Sequence, residues 1–374
     1  MNVLLVAKLS NQTLTENILS PLLKSSYVDH VYVLRDFPGD MIDGKVTYLS
    51  PEKVSESRIR HIRKVVAGVR YCSKYKIDVI IGVLNTPHGY IGKAIGAMMN
   101  IPYIHITIAG HREFWLGGKI RERVNLAVFR KARIITVTGQ QTLAYLVSKG
   151  FDADRIVVLP NLPNQAFMDS NMQEEGERKY DIVSFSRIDK NKNIGLLLRA
   201  VSRIKNECSV KLIVAGDGEE LDNLKRMAKE LAIGEYIDFV GYISDLEDKL
   251  RIYRNSRIFV SCSKGEGFPV SLLEAMSCGC VPVVSNVGDI VDVIRHGTNG
   301  FVFNDVDSEM ELAGCLMRLL SDKELVDKTS REARKIVESI SVEGNAGIWV
   351  MSWGSADLGR LGIGNVTTSD DKVS

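Results

Sequence analysis

The chain has 374 residues, too many for one ordinary domain and enough for two or three at roughly 150 residues each. With 45% apolar and 25% charged residues it has the make-up of a soluble globular protein with well-filled cores, which excludes fibrous, collagen-like and wholly disordered classes. Lys+Arg number 48 against 46 Asp+Glu, so the molecule is neither a polycation nor an acidic tail protein.

MNVLLVAKLS has no basic segment before its apolar run and no small-residue cleavage site, and reads as a first strand. Short β-branched runs then alternate with helix-length amphipathic segments. The strands expected in the first half are Val3–Val6, Val31–Leu34, Val79–Val83, Tyr103–Ile108, Ile134–Val137 and Ile156–Leu159. Those in the second half are Asp181–Ser186, Val210–Ala215, Ile237–Val240, Ile258–Val260, Val281–Ser285 and Phe301–Phe303. Alternation on this scale implies parallel sheets covered by helices on both faces, with ligands at the carboxyl ends of the strands. Even Val79–Leu84 and Ile101–Ala109 fall far short of the ~20 apolar residues that span a bilayer.

The expected division is a first Rossmann-like domain over 1–168, a polar linker over 169–179, a second domain over 180–340 and a Gly- and Ser-rich tail over 341–374. The fold class is α/β, two doubly wound domains facing across a cleft. Six cysteines do not make a disulfide framework. Cys278 and Cys280 form a C-G-C pair with no second pair or nearby histidine to complete a zinc site. Buried thiols in a reducing cytoplasm are expected.

Charge is shared unevenly: residues 1–170 hold 22 Lys+Arg against 13 Asp+Glu, and residues 171–374 hold 26 against 33. One basic stretch carries Arg60, Arg63, Lys64, Arg70 and Lys74 among apolar residues at helical spacing. A second holds Lys119, Arg121, Arg123, Arg130, Lys131 and Arg133. They read either as solvated helix faces or as contacts for anionic headgroups or a phosphate-bearing acceptor. Nucleic acid is not expected, since no aromatic residues are interleaved in these clusters to stack on bases.

The chemistry concentrates in SCSKGEGFPVSLLEAMSCGCVPVVS, Ser261 to Ser285. A strand ends near Cys262, a turn holds Gly265 and Gly267, and a helix starts near Pro269, leaving free N–H groups for an anion. Glu266 on the turn and Glu274 on the helix suit sugar hydroxyls. Arg187 and Lys192, in the loop after the second domain's first strand, are placed to neutralise a diphosphate. Another loop carries Gly216 and Gly218. The strings Asp152-Ala153-Asp154 and Asp305-Val306-Asp307 are expected to be turn and cap residues, not metal ligands.

Together, Arg187 and Lys192 after that strand, AGDG, Phe239–Gly241, the E-x7-E spacing of Glu266 and Glu274, and the AMxCGxxPVV ending resemble the retaining nucleotide-sugar glycosyltransferases of family-4 type, which have the GT-B architecture. The resemblance is clear from about Ile101 to Leu320. It implies a metal-independent, hexosyltransferase-type enzyme with no cofactor beyond its nucleoside-diphosphate sugar, UDP-sugar favoured and GDP-sugar the alternative. The implied acceptor is a cell-envelope or lipid-linked saccharide, handled in the cytoplasm or peripherally at the inner membrane face. Arg187 and Lys192 would hold the diphosphate, Glu274 the ribose and Glu266 the transferred sugar. Val240 and Gly241 would lie near the base, Gly267 and Phe268 near sugar and phosphate, with Gly216 also on the donor side. His111 is the favoured histidine at the reaction centre, with His88 and His105 as alternatives. A nucleotide-sugar epimerase of the same fold, or a non-catalytic nucleotide-sugar-binding paralogue, are the competing expectations. The first loop, Ala7 to Asn11, lacks the glycine pair usual in the family.

Overall fold

The computed structural model describes residues 1–9, 14–37, 44–50, 60–169, 178–340 and 347. The linker expected over 169–179 and the tail expected over 341–374 fall almost wholly outside the described residues.

Continuous apolar runs put both faces of each strand in a core, and this is what parallel strands between two helix layers require. In β1 (Asn2–Val6), Val3 and Leu5 join one buried cluster while Leu4 and Val6 join the other. The rest of the first sheet is β2 (His30–Leu34), β3 (Val46–Leu49), β4 (Val79–Val83), β5 (Tyr103–Ile106), β6 (Ile134–Val137) and β7 (Ile156–Val158). They lie in the order β3-β2-β1-β4-β5-β6-β7, every neighbouring pair parallel.

The second sheet repeats the plan with β8 (Tyr180–Phe185), β9 (Leu212–Ala215), β10 (Ile237–Gly241), β11 (Ser256–Ser261), β12 (Val281–Ser285) and β13 (Phe301–Phe303). Its order is β10-β9-β8-β11-β12-β13. In both sheets the order reverses beside the first strand, opening a crevice at the carboxyl ends. The short helix Gln165–Met168 packs Phe167 into the second domain's core.

Three local expectations are corrected. Val46–Leu49 is an edge strand that the sequence does not announce, being short and mixed in polarity. The strand expected to reach Ile108 stops at Ile106, because the amides of Ile108 and Ala109 turn aside to the Glu113 carboxylate at 2.5 and 2.6 Å. Before the helix Glu309–Ser321 the cap is Ser308, while the Asp305 carboxylate accepts from the Asp307 N–H. Asp152 does cap a single helical turn.

The basic segment forms the helix Arg60–Tyr75, but its buried face is Lys64, Gly68 and Cys72, with Ile62 and Val66 exposed. Lys64 is 1% exposed and pairs with Asp36 at 2.8 Å. The second basic cluster is divided: Lys119, Arg121 and Arg123 ride the helix Lys119–Phe129, whereas Lys131 and Arg133 line a separate hollow with Lys93 and Arg155 at the amino ends of the strands.

Removing one partner of a buried ion pair strands the other, which costs about 3–5 kcal/mol. Asp36→Ala is expected to lower stability by that order, read from urea midpoints, and Lys64→Met in the same chain to restore most of it. A single variant as stable as the parent would show that the pair is hydrated in solution.

Candidate active site

Four loops converge at the carboxyl ends of β8, β9, β10 and β11. The backbone of the β9 loop lies directly on the β8 loop. A Cβ at Gly216 would sit 1.8 Å from the Ser186 carbonyl oxygen, and one at Gly218 would sit 2.2 Å from that of Ile188. Both glycines also hold positive φ, of 142° and 154°. Gly216 N–H donates to the Gly241 carbonyl at 2.7 Å, tying in the β10 loop. Asn191 closes the β11 loop: its Nδ2 donates to Gly265 O at 2.9 Å, and its carbonyl accepts from Lys264 N at 2.8 Å.

On this platform Lys192 Nζ pairs with Glu266 Oε1, which also accepts from Ser263 Oγ at 3.0 Å. Arg187 is 74% exposed and held by Asp189 at 2.7 Å, so its guanidinium stands in solvent at the loop's edge. Asp189 also takes the Lys192 N–H at 3.0 Å, fixing the turn before the helix Ile194–Ile204. The helix Val270–Ser277 starts after Pro269 and carries Glu274, 6% exposed, whose carboxylate accepts one hydrogen bond among the described residues, from Tyr253 Oη at 3.4 Å. Burial raises the Glu274 carboxyl above its ordinary range, only partly offset by Lys249. A carboxylate so enclosed and so lightly bonded has acceptor capacity left for hydroxyl donors. Val240 is half-exposed beside Gly241. The Phe268 side chain is buried in the core, so only its main chain can face a ligand.

The first domain meets this platform at Gly267. A Cβ there would lie 2.5 Å from both the Gly110 nitrogen and the Ile108 carbonyl oxygen. Asn161 Nδ2 donates to Phe268 O at 2.6 Å, and Arg112 Nη1 to Gly265 O at 3.0 Å.

The structure separates the three histidines. His105 is fully buried, bonded by the Tyr103 hydroxyl and Asn85, and stacked on Phe129 at 3.9 Å. Burial drives its pKa down to about 3, and it is a core residue. His88, 4% exposed, keeps Nε2 without a partner, and burial with Lys64 nearby lowers it to about 4. His111 follows Gly110 at the junction itself. Its N–H donates to Thr142 Oγ1 at 3.0 Å, its Nδ1 is unpartnered, and burial lowers its pKa while Asp289 opposes the shift.

Two acids at the junction escaped the sequence reading. Glu113 collects the strand-end amides already described, with Oε2 buried and unpartnered. Asp289 reaches Thr138 and Thr142 of the first domain. The only sequence signal for Glu113 is an acid just past a strand end, and for Asp289 there is none, since its partners are some 150 positions away.

The facing sheets and their convergent loops define the GT-B class. Residues 168–336 match the family model described as glycosyl transferases group 1. Among curated relatives, N-acetyl-alpha-D-glucosaminyl L-malate synthase of Bacillus anthracis is 30% identical over 156 residues, 42% of this chain and 40% of the relative. An uncharacterized glycosyltransferase of Methanocaldococcus jannaschii is 26% identical over 234 residues, 56% of this chain and 58% of the relative. The chain thus spans about half the length of these relatives. Among solved structures, Anabaena Alr3699/HepE in complex with UDP superposes with TM-score 0.76 at 17% identity, over 95% of this chain and all of that one. The fold is thus that of the GT-B class, and residues 168–336 carry the group 1 glycosyl transferase pattern.

Burial raises the Glu113 carboxyl from 4.5 to about 7. The folded state then holds this proton more tightly than the unfolded chain, so the contribution to stability is full below about pH 4.5 and is lost as pH rises through 7. Glu113→Gln is expected to flatten the fall in urea midpoint across that window relative to the parent. Parallel profiles would assign the pH dependence elsewhere.

Proposed function

We propose that this chain transfers a sugar, with retention at the anomeric carbon, from a nucleoside-diphosphate sugar to a hydroxyl of a saccharide or lipid-linked acceptor. The observation that carries the reading is the Lys192–Glu266 pair, on the turn before the helix that buries Glu274, on loops locked together backbone to backbone. Lys192, Arg187 and the free N–H groups of the Val270 helix supply positive charge for a departing diphosphate without calling for a metal. Glu274 receives the ribose hydroxyls and Glu266 those of the sugar. As the anomeric C–O bond to the diphosphate breaks, the phosphate oxygen takes the proton of the acceptor hydroxyl, whose oxygen forms the new bond on the same face. No enzyme nucleophile is needed.

A UDP-sugar is the favoured donor, in keeping with the UDP complex of the Anabaena structure. The acceptor enters against the first domain. Trp115, Leu116, Ile120 and Val124 are exposed there beside Lys119, Arg121 and Arg123. Apolar side chains flanked by cations suit a peripheral stay at an anionic membrane surface. No helix among the described residues is long and apolar enough to cross a membrane.

Calorimetry of UDP, GDP and ADP, with and without magnesium, tests the donor site. One of them is expected to bind with a Kd of about 10⁻⁶–10⁻⁵ M in both conditions, a standard affinity of about 7–8 kcal/mol. Glu274→Ala should weaken that nucleotide about tenfold or more by losing hydrogen bonds to charged acceptors. Lys192→Ala should lower turnover by about 10²–10³ with folding intact. If no nucleoside diphosphate binds, the proposal fails. If one binds and its sugar is isomerised with no acceptor present, the protein is an epimerase.

A further inference from the structure

The groups that set the spacing of the two domains differ from those of the donor site. The helix Gln140–Ser148 follows β6 in the first domain, and its capping position is Gly139, which has no side chain to offer. Its leading N–H groups are taken across the cleft by the second domain. Thr142 N donates to Asp289 Oδ1 at 2.9 Å and Gln140 N to Asp292 Oδ2 at 2.5 Å. The Thr138 and Thr142 hydroxyls add bonds to Asp289 Oδ2 at 2.5 and 2.8 Å. A helix start carries partial positive charge and unpaired donors, and aspartate is among its best caps. Here the cap is supplied in trans, so the helix is capped only at this domain spacing.

The contact is tight. Asp289 and Thr142 are fully buried, and among the described residues no Lys or Arg pairs with Asp289. Gly139 makes room, since a Cβ there would lie 2.3 Å from Asp292 Oδ2 and 2.5 Å from Asp289 Cβ. On one side the Asp289 N–H donates to Gly267 O at 3.0 Å, beside Glu266. On the other, Thr142 Oγ1 accepts the His111 N–H at 3.0 Å. One chain of hydrogen bonds therefore runs from the His111 loop, through Thr142 and Asp289, to the turn bearing Glu266.

We propose that Asp289 is a positioning residue for the transfer reaction: by capping the first domain's helix in trans it fixes the distance at which the His111 loop faces the Glu266–Phe268 turn. The inference rests on the function proposed above. Arg187, Lys192, Glu266 and Glu274 all lie in the second domain, so nucleotide binding does not need the contact, whereas bringing an acceptor to the donor does. A misplacement of ~1 Å between reacting groups can cost about a hundredfold in rate.

The test compares the full-length protein with Asp289→Asn, Thr142→Val and Thr142→Ser, using UDP as binding probe and UDP release from UDP-glucose as turnover. UDP affinity is expected within about threefold of the parent in every variant, while Asp289→Asn and Thr142→Val lose about tenfold or more in kcat at little-changed KM. Thr142→Ser keeps the hydroxyl and should recover to within about twofold. Amide hydrogen exchange at residues 140–142 should quicken in Asp289→Asn and Thr142→Val and stay slow in Thr142→Ser. Parental kcat and exchange in the first two variants overturn the proposal, as does equal damage from Thr142→Val and Thr142→Ser, which would mean packing alone. If Asp289→Asn does not fold, the two Thr142 variants decide. If the parent binds none of UDP, GDP and ADP, the function proposed above fails, and the exchange comparison still decides whether the cross-domain cap exists.

Discussion

Two parallel sheets that share a site must bring loop backbone against loop backbone, because the strands end where the ligand has to lie. That approach admits no Cβ at the points of contact. Gly216 and Gly218 let the β9 loop rest on the β8 loop, and Gly267 lets the second domain touch the first at Gly110. The loops then hydrogen-bond to one another rather than to solvent, as in Gly216 N to Gly241 O and Lys264 N to Asn191 O. Side chains mounted on such a base lose little freedom on binding, which is why a polar cleft can still be specific.

The same enclosure governs the charges. Lys192 and Arg187 are each matched to one carboxylate, Glu266 and Asp189. In the function proposed above, a diphosphate brings more negative charge than Glu266 and competes for the ammonium, releasing the Glu266 carboxylate toward hydroxyl donors. Glu274 differs. Burial raises its pKa, only partly offset by Lys249, and the one hydrogen bond to its carboxylate among the described residues is a long one from Tyr253. Environment rather than residue type thus separates the charge-balancing Glu266 from Glu274, the acid proposed to bind hydroxyls.

Most strands were legible because buried parallel strands are nearly unbroken apolar runs, as in Val79–Val83 and Val281–Ser285. Val46–Leu49 was not, since an edge strand needs only one neighbour and tolerates polar residues. Periodicity misled over the helix Arg60–Tyr75. It placed Lys64 with the other basic residues on a solvated or anion-binding face, yet Lys64 lies inside because Asp36, from another loop, neutralises it. The glutamate spacing around the Val270 helix could be read because it is local. The ranking of the histidines could not, because His105 is set apart only by the rings and amides the fold gathers around it.

The division of charge bears on where binding energy for an anion must come from. Residues 171–374 hold 26 Lys+Arg against 33 Asp+Glu, so the domain proposed to take a diphosphate is acidic as a whole. At physiological salt the Debye length is about 8 Å, and the domain's diffuse excess acts weakly on a ligand seated in the cleft. Short-range partners dominate instead: Lys192, Arg187 and the amides at the start of the Val270 helix. The long-range field belongs to the first domain, where residues 1–170 hold 22 basic against 13 acidic residues. Attraction of an anionic surface or acceptor to that side is a matter of encounter, and recognition of the donor a matter of contact.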